Sequence, residues 1–261
     1  MAIVKTDDIH YKNIASRIRK KTGKSTTYTP AEMPSGIKEV YEAGKNVMWD
    51  GIQDYGNRFD YKSAFAYWNC EYIHPKHKVS PTDSASTVQT FYFNKSLKKV
   101  EKEYFDFSNC ERATYNSGSH YYTFCSCPAL EVIEDVGIKN VLCFGYTFAW
   151  CGALHTIECI YPDENTQFDG AFVGCYELVH LGVDGTIGQN GFNVSWSTKL
   201  DKESHINIFN AFSTTAEISA TFSYEAINKA FETSAGANDG RESAEWSALR
   251  ATRPNVTVLY A

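Results

Sequence analysis

Large apolar residues recur at a fixed spacing in the middle of the chain. In four places a phenylalanine is followed three residues later by a cysteine: Phe107 with Cys110, Phe124 with Cys127, Phe148 with Cys151, and Phe172 with Cys175. The last three copies begin 24 residues apart, and two large aliphatic residues follow each of them: Leu130 and Ile133, Leu154 and Ile157, Leu178 and Leu181. A period of about 20–50 residues is typical of repeat proteins, whose units bury their apolar faces against one another. The pattern therefore predicts a solenoid with a broad surface.

Each unit is predicted to contribute one strand and one opposite wall. The L-x-x-I segments are too short for helices and carry β-branched residues, so we expect them to pair in parallel from unit to unit. The Phe-x-x-Cys segments form the other wall, with the cysteines in one column as small buried hydrophobes. The first copy departs from the pattern, because Ala113 stands three residues after Cys110 and no aliphatic residue stands six residues after it. That unit is either irregular or a cap.

The first 44 residues have a different, helical pattern. Residues 7–22 place apolar side chains at helical spacing and are followed by Gly23, and a second helix is announced by Thr29 and Pro30. Two short helices make a hairpin too small to be stable alone, so we expect it to attach to the rest of the chain or to another protein. The apolar residues that we expect to make this attachment are Ile14, Ile18, Met33, Ile37 and Val40.

The C-terminal third mixes helices and strands. Helical spacing over 199–212, with Asp201 as N-cap, predicts a first helix. A strand over 217–222, a helix over 224–232, a helix over 243–251 and a strand over 256–260 follow. Because the open end of a solenoid needs a cover, we interpret residues 185–261 as an α/β cap. The predicted division is 1–44, 45–184 and 185–261.

The composition of the chain argues against several classes of function. The net charge of −6 argues against a nucleic-acid binder, which needs a basic face. No run of about 18 apolar residues exists, and the first residues lack the apolar core of a signal peptide, so we expect neither a membrane span nor export by a leader. Eight cysteines are present, but four share one repeat position, which favours packing over disulfides. The only close pair, Cys125 and Cys127, lacks the second pair that a zinc site needs.

Catalytic signatures are weak. The glycine-rich segment 182–191 has neither phosphate-binding nor dinucleotide-binding spacing, and no hydrolase or zinc-protease motif occurs. Asp163 and Glu164 could pair with Glu158 or Asp169 as glycosidase carboxylates, an alternative that the sequence leaves open. We expect no catalytic residue, no cofactor and no metal site.

Two segments resemble known families. The phrase IASRIRKKTGK followed by YTPAEMPSGI, residues 14–37, resembles the IRxKTGK…TPxxM module of tail-associated and minor structural proteins of phages and prophages of Gram-positive bacteria. Most of residues 49–213 resemble BspA-like leucine-rich repeats, and the match is best in Ala171 to Cys175. Together these resemblances imply an α/β repeat fold: a leucine-rich-repeat solenoid with an N-terminal helical hairpin and a C-terminal α/β cap.

The resemblances also imply a function. We expect a non-enzymatic virion protein of the tail, baseplate, fibre or decoration, attached to other virion proteins by residues 1–44, forming a homo-oligomer and displaying its repeats outward. The alternative is a bacterial surface adhesin or a glycan-degrading enzyme outside a virion. Five aromatic residues are suited to contact with a host-surface glycan or protein if exposed, and otherwise fill the core: Tyr121, Tyr122, Tyr146, Trp150 and Tyr176.

Overall fold

The computed structural model describes the repeat region in part and the C-terminal region in full. The described residues are 65–75, 78–80, 87, 89–108 and 122–261, with backbone alone for the strand Asn46–Val47 and for residues 139–142. The predicted hairpin of residues 7–44 and Cys110 lie outside this part of the chain. So do the five predicted attachment residues, Ile14, Ile18, Met33, Ile37 and Val40.

The chain has an α/β fold with parallel sheets and few helices. Its strands are β1 Asn46–Val47, β2 Tyr72–Ile73, β3 Lys99–Val100, β4 Val132–Ile133, β5 Ile138–Cys143, β6 Thr156–Gln167, β7 His180–Val183, β8 Phe192–Val194, β9 Ile218–Phe222 and β10 Val256–Tyr260. Its helices are α1 Lys202–Ala211, α2 Tyr224–Ala230 and α3 Ala244–Ala251, with a 3-10 turn at Gly240–Glu242. All strand pairs in the described residues are parallel: β1 with β2, β3 with β4, β6 with β4, β5 and β7, and β9 with β8 and β10.

The predicted parallel pairing of the L-x-x-I segments is confirmed. Val100 lies beside Ile133, Ile133 beside Ile157, and Ile157 beside Leu181 in successive strands. All four side chains are fully buried. Each strand adds one buried side chain to a common apolar column. Burial of this column explains why such short strands are enough to form the sheet.

A stack of phenylalanine rings forms the opposite wall. Its members are Phe65, Phe91, Phe124, Phe148 and Phe172, and neighbouring rings lie nearly parallel with centroids 5.2–5.8 Å apart. Each of the first four also donates its backbone N–H to a carbonyl of the following unit, as Phe124 does to Thr147 at 2.9 Å. We number the units 1 to 5 by these phenylalanines.

The unit before Phe124 begins at Phe91, whereas the sequence pattern took Phe107 as the first copy. Phe107 is buried, follows strand β3 and bonds through its N–H to the Val136 carbonyl; its ring packs on Phe105, which meets Phe65 and Phe91 edge-on. The cysteine pattern did not reveal the unit of Phe91, because Asn94 stands where the later units have cysteine. Asn94 is buried and its amide contacts the Cys70 sulfur at 3.6 Å.

The cysteines of units 3 to 5 form a ladder of thiol hydrogen bonds. The Sγ atoms of Cys127, Cys151 and Cys175 donate to the phenylalanine carbonyl one unit back, at 3.0–3.1 Å. Burial raises the pKa of Cys127 and of Cys175 to about 12. These thiols therefore stay protonated and serve packing. The seven cysteines in the described residues are all free thiols.

Helix α1 ends the stack. Val194, Ser197 and Leu200 continue the Phe, Cys and Leu positions of the units, with the same turn hydrogen bonds, but the next segment is helical. The helix begins where the Asp201 carboxylate accepts from the Ser204 N–H at 2.7 Å, as the sequence predicted. It lies along the exposed edge of β7, so the edge is not open for further pairing.

The other elements predicted after residue 212 are confirmed. Strands β9 and β10 pair along five residues, and Ser223 and Ser243 cap helices α2 and α3 with their side chains. Strand β8, which was not predicted, completes this second sheet. One apolar cluster runs from Phe65 to Val256, so the core is continuous across residue 184. Among the described residues no helix is long and apolar enough to cross a membrane.

Candidate recognition surface

Units 2 to 5 each have two positions with left-handed backbone, on either side of the phenylalanine, and unit 1 has one such position among the described residues. Two residues before the phenylalanine stand Gln89, Tyr122, Tyr146 and Gly170, and two residues after it stand Tyr67, Phe93, Ser126, Trp150 and Gly174; their φ angles lie between +52° and +75°. Bulky residues rarely adopt such angles, which cost about 1–3 kcal/mol each. The repeated strain shows that the turn geometry is imposed by the stack.

Hydrogen bonds between units explain the geometry. In unit 2, Phe91 donates to the Thr123 carbonyl and Phe93 to the Cys125 carbonyl, at 2.8 and 3.0 Å. Alternate N–H groups thus point to the next unit, which forces the chain to turn sharply on both sides of the phenylalanine. Glycine meets this demand without strain. Unit 5 has glycine at both positions, Gly170 and Gly174. The backbone at these positions therefore does not require an aromatic residue, so the aromatic residues at the same positions of other units are explained by their side chains.

The aromatic side chains at these positions, together with Tyr92, form a continuous aromatic row. We define the row as Tyr67, Tyr92, Phe93, Tyr122, Tyr146 and Trp150. Ring centroids along it are 4.9–6.0 Å apart, and the nearly parallel pairs include Tyr122 with Tyr146. The row ends over unit 5, where a Cβ at Gly170 would lie 2.6 Å from the Tyr146 ring. The two glycines therefore also make room for the last rings.

The row lies outside the core. Tyr67 is 71% exposed, Trp150 49% and Phe93 37%, while the three other tyrosines are half-buried. Of the five aromatic residues predicted for contact, Trp150 and Tyr176 are exposed, Tyr122 and Tyr146 are half-buried, and Tyr121 lies outside the described residues. Tyr176 is not in the row and instead packs edge-on against Trp196. The interpretation that these side chains fill the core does not hold for the four that are described.

Sequence reasoning missed the first half of the row. Tyr67, Tyr92 and Phe93 belong to units that the cysteine spacing did not reveal. A usable signal was the phrase Tyr-Thr-Phe, which occurs at residues 122–124 and 146–148 and places a tyrosine two positions before each stacked phenylalanine. The left-handed backbone itself has no such signal, because aromatic residues disfavour it.

The sheet face of the stack is charged and internally paired. Lys98 lies 3.7 Å from Glu71 of the preceding unit, and His74 Nε2 lies 2.7 Å from Glu101 of the next. The Glu134 carboxylate bonds the Lys99 ammonium, and this bond raises the pKa of Lys99. Half-exposed pairs of this kind contribute little stability each. They do leave this face polar, in contrast to the aromatic row.

A shallow cleft of about 310 Å³ is lined in part by Lys78, Asp106, Asp135 and Tyr161. The Tyr161 hydroxyl donates to Asp135 at 2.8 Å, and burial together with this contact raises the pKa of Tyr161. The Asp106 carboxylate accepts from the Ser108 N–H, and hydrogen bonding from the Ser108 side chain, with a smaller effect of this N–H, lowers the pKa of Asp106. Each group is thus engaged in a local hydrogen bond.

The carboxylates considered for glycoside hydrolysis also have local roles. Asp163 accepts from the Asn165 N–H at 2.8 Å, and Glu158 accepts from the Asp135 N–H at 2.9 Å. Glu164 receives the Ser213 hydroxyl at 3.5 Å, and Asp169 is exposed. Within the part of the chain that the structure describes, no group of three or more His, Cys, Asp or Glu residues is placed to hold a metal ion.

Comparison of the chain with protein-family models, with curated proteins and with solved structures gave no significant match. The choice of the aromatic row as the candidate recognition surface therefore rests on its geometry alone.

Proposed function

We propose that the chain is a BspA-like leucine-rich-repeat solenoid that acts in recognition and not in catalysis. Three features support the solenoid: the parallel strand column, the phenylalanine stack and the thiol ladder each advance by one residue per unit. Helix α1 fits the role of its terminal cap, since terminal units of such stacks carry a polar outer face.

The aromatic row is the observation that carries the recognition role. Tyr67, Phe93 and Trp150 expose large rings while held in a strained backbone that glycine would relieve. Exposed aromatic clusters on a rigid scaffold are typical of binding surfaces, because rings give large contact area at low entropic cost. A stack of units also presents such a row as an extended surface.

We further propose that this surface is carried on a phage particle. The IRxKTGK…TPxxM phrase supports attachment through residues 1–44 to other virion proteins, with the repeats displayed outward toward a host-surface glycan or protein. Closed symmetric assemblies are the commonest form of such structural proteins, so the proposal includes a homo-oligomer. A bacterial surface adhesin or a glycan-degrading enzyme outside a virion remains the alternative assignment.

Mass spectrometry of gradient-purified particles, with immunogold labelling by antibodies against residues 45–261, tests the virion assignment. The proposal expects the protein in the particle fraction and gold at discrete sites. The position of the gold label at the tail tip, collar or capsid then distinguishes a role in host recognition from a purely structural role. Protein found on cells or in the medium but absent from particles would contradict the assignment and favour the alternative.

A further inference from the structure

At the turn position two residues after the phenylalanine, unit 3 has a serine and no ring. Phe93, Ser126 and Trp150 occupy the same turn position in successive units, because Phe93 donates to the Cys125 carbonyl and Ser126 donates to the Ala149 carbonyl. All three share nearly the same φ, between +58° and +59°. Ser126 thus places a small side chain at a position where the units on either side carry a large ring. We call this place the Ser126 slot.

Both rings turn a face toward the slot. Phe93 stacks on Tyr67 of the preceding unit at 5.8 Å, so its plane is roughly perpendicular to the stacking direction. Trp150 lies within 14° of the Tyr146 plane, and Tyr146 stacks on Tyr122 of the preceding unit. The Phe93 and Trp150 rings are therefore both oriented across the stacking direction, with the level of Ser126 between them.

The width of the slot follows from the spacing of the units. Hydrogen-bonded neighbours in a parallel sheet are about 4.8 Å apart, so two units separate the Phe93 and Trp150 backbones by roughly 9.6 Å. Two van der Waals contacts of about 3.5–4 Å each take up most of this distance and leave roughly 2 Å for the thickness of an inserted group. A puckered saturated ring fills that space, whereas a flat aromatic ring leaves a void.

Polarity and charge restrict the ligand further. The Ser126 hydroxyl, on the floor of the slot, lies 3.6 Å from the Cys125 sulfur, and the row beside the slot includes Tyr92 and Tyr122. Hydroxyl groups both donate and accept hydrogen bonds, as sugar hydroxyls do. The segments 65–70, 91–94, 122–127 and 146–151, which carry the row, contain no charged residue. A neutral ligand with a polar rim is therefore favoured over an ionic one.

We propose that the Ser126 slot binds one pyranose ring of a neutral glycan between Phe93 and Trp150. This inference rests on the proposed recognition function and names its ligand class. Proline also has a puckered ring, but its ring carries no hydroxyl that would use Ser126. A proline-rich peptide is therefore the competing occupant that the test must exclude.

The test uses the purified full-length chain on an array of immobilised neutral oligosaccharides of glucose, galactose, mannose and N-acetylglucosamine. The parent is expected to bind at least one of them. Ser126→Phe completes the aromatic row and fills the slot, and we expect it to weaken that binding at least about tenfold, which corresponds to about 1.4 kcal/mol. Phe93 adopts almost the same φ as Ser126, so the substitution is compatible with the backbone. Ser126→Gly keeps the slot open and is expected to bind within about twofold of the parent.

Two controls keep the outcome interpretable. Trp150→Gly removes one wall at a position where unit 5 already has glycine, and it should also abolish binding while the far-ultraviolet circular dichroism stays unchanged. Tyr224→Ala removes a similarly exposed aromatic residue, 43% exposed, on helix α2 and outside the repeat units, and should bind as the parent does.

The glycan inference is overturned if the parent binds none of the oligosaccharides, if Ser126→Phe binds them as well as the parent, or if an immobilised poly-L-proline peptide is bound in a Ser126-dependent manner instead. None of these results bears on whether the protein is present in particles. Failure of the glycan inference is thus distinguishable from failure of the virion assignment.

Discussion

The hydroxyl of Ser204, on helix α1, accepts a hydrogen bond from the backbone N–H of Leu181 at 2.8 Å and donates one to the Val179 carbonyl at 3.3 Å. Leu181 lies in β7, the last strand of the stack, whose outer edge has no further strand to pair with in the described residues. The Ser204 hydroxyl and the Asp201 N–H, which donates to the Val179 carbonyl at 2.8 Å, together supply the partners that another strand would have given.

Ser204→Ala is expected to lower the free energy of unfolding by about 1–3 kcal/mol, because it leaves the buried Leu181 N–H unpaired, while the Val179 carbonyl keeps its hydrogen bond from the Asp201 N–H. Urea unfolding followed by tryptophan fluorescence measures the change. Ser234→Ala, at an exposed loop position, is the matched control and should leave the midpoint unchanged. Equal midpoints for Ser204→Ala and the parent would mean that the edge does not depend on this contact.

Phe148→Ala is expected to cost about 3–5 kcal/mol, because the ring stacks between Phe124 and Phe172 and its removal leaves a cavity in the middle of the wall. The same urea titration measures it. Phe93→Gly removes a phenylalanine from the surface row and serves as the comparison, with a much smaller expected loss. A melting temperature of Phe148→Ala equal to that of the parent would rule out a buried ring stack.

The thiol ladder predicts an order of chemical reactivity. Cys127, Cys151 and Cys175 are buried and protonated, whereas Cys159 is only half-buried. Iodoacetamide at pH 8 should therefore label Cys159 well before the other three, since the thiolate is the reacting form and must be accessible. Peptide mass spectrometry over a time course gives the order. Urea should remove the difference, and early labelling of Cys151 in the folded chain would refute the ladder.

The imidazole of His205 predicts an acid-sensitive cap. It is fully buried beside Phe222, Phe231 and Trp246, its Nδ1 lies 2.7 Å from the Asp201 carbonyl, and burial lowers its pKa to about 4. The unfolded value is about 6.5, so between pH 6.5 and 4 the unfolded chain binds more protons than the folded chain. The stability that the neutral ring provides is complete above pH 6.5 and is lost as the pH falls toward 4.

The full loss is on the order of 3 kcal/mol, from a pKa difference of about two and a half units at 1.36 kcal/mol each. Unfolding free energies at pH 7, 5.5 and 4.5 measure the slope. His205→Asn retains a donor toward the Asp201 carbonyl but does not titrate, so its slope should be flatter. Identical slopes in the two proteins would assign the pH dependence to other groups.

Trp150→Gly is expected to change the melting temperature by only a few degrees, because relief of about 1–2 kcal/mol of left-handed strain offsets the lost ring contact with Tyr146 and the added flexibility of the unfolded chain. Differential scanning calorimetry measures it. A loss as large as that of Phe148→Ala would show that the exposed ring is structural, and the recognition role of the row would lose its support.

How much the sequence predicts depends on whether the information is local. Helix α1 was predicted with its cap because Asp201 and Ser204 are three residues apart, and the strands of units 3 to 5 because Ile133, Ile157 and Leu181 keep a constant period. Unit 2 was missed because Asn94 replaces the cysteine and because 33 residues, not 24, separate Phe91 from Phe124. The left-handed turns and the aromatic row arise only when units bond to one another, so no local pattern specifies them.

Competition for host adsorption tests the central claim most directly. Purified full-length chain is added to phage and host cells, and the rate of particle adsorption is measured for the parent, Trp150→Gly and Tyr224→Ala. If the aromatic row is the recognition surface, the parent and Tyr224→Ala slow adsorption equally and Trp150→Gly does not. If the parent has no effect, or if all three proteins slow adsorption to the same extent, the row is not the surface that recognises the host.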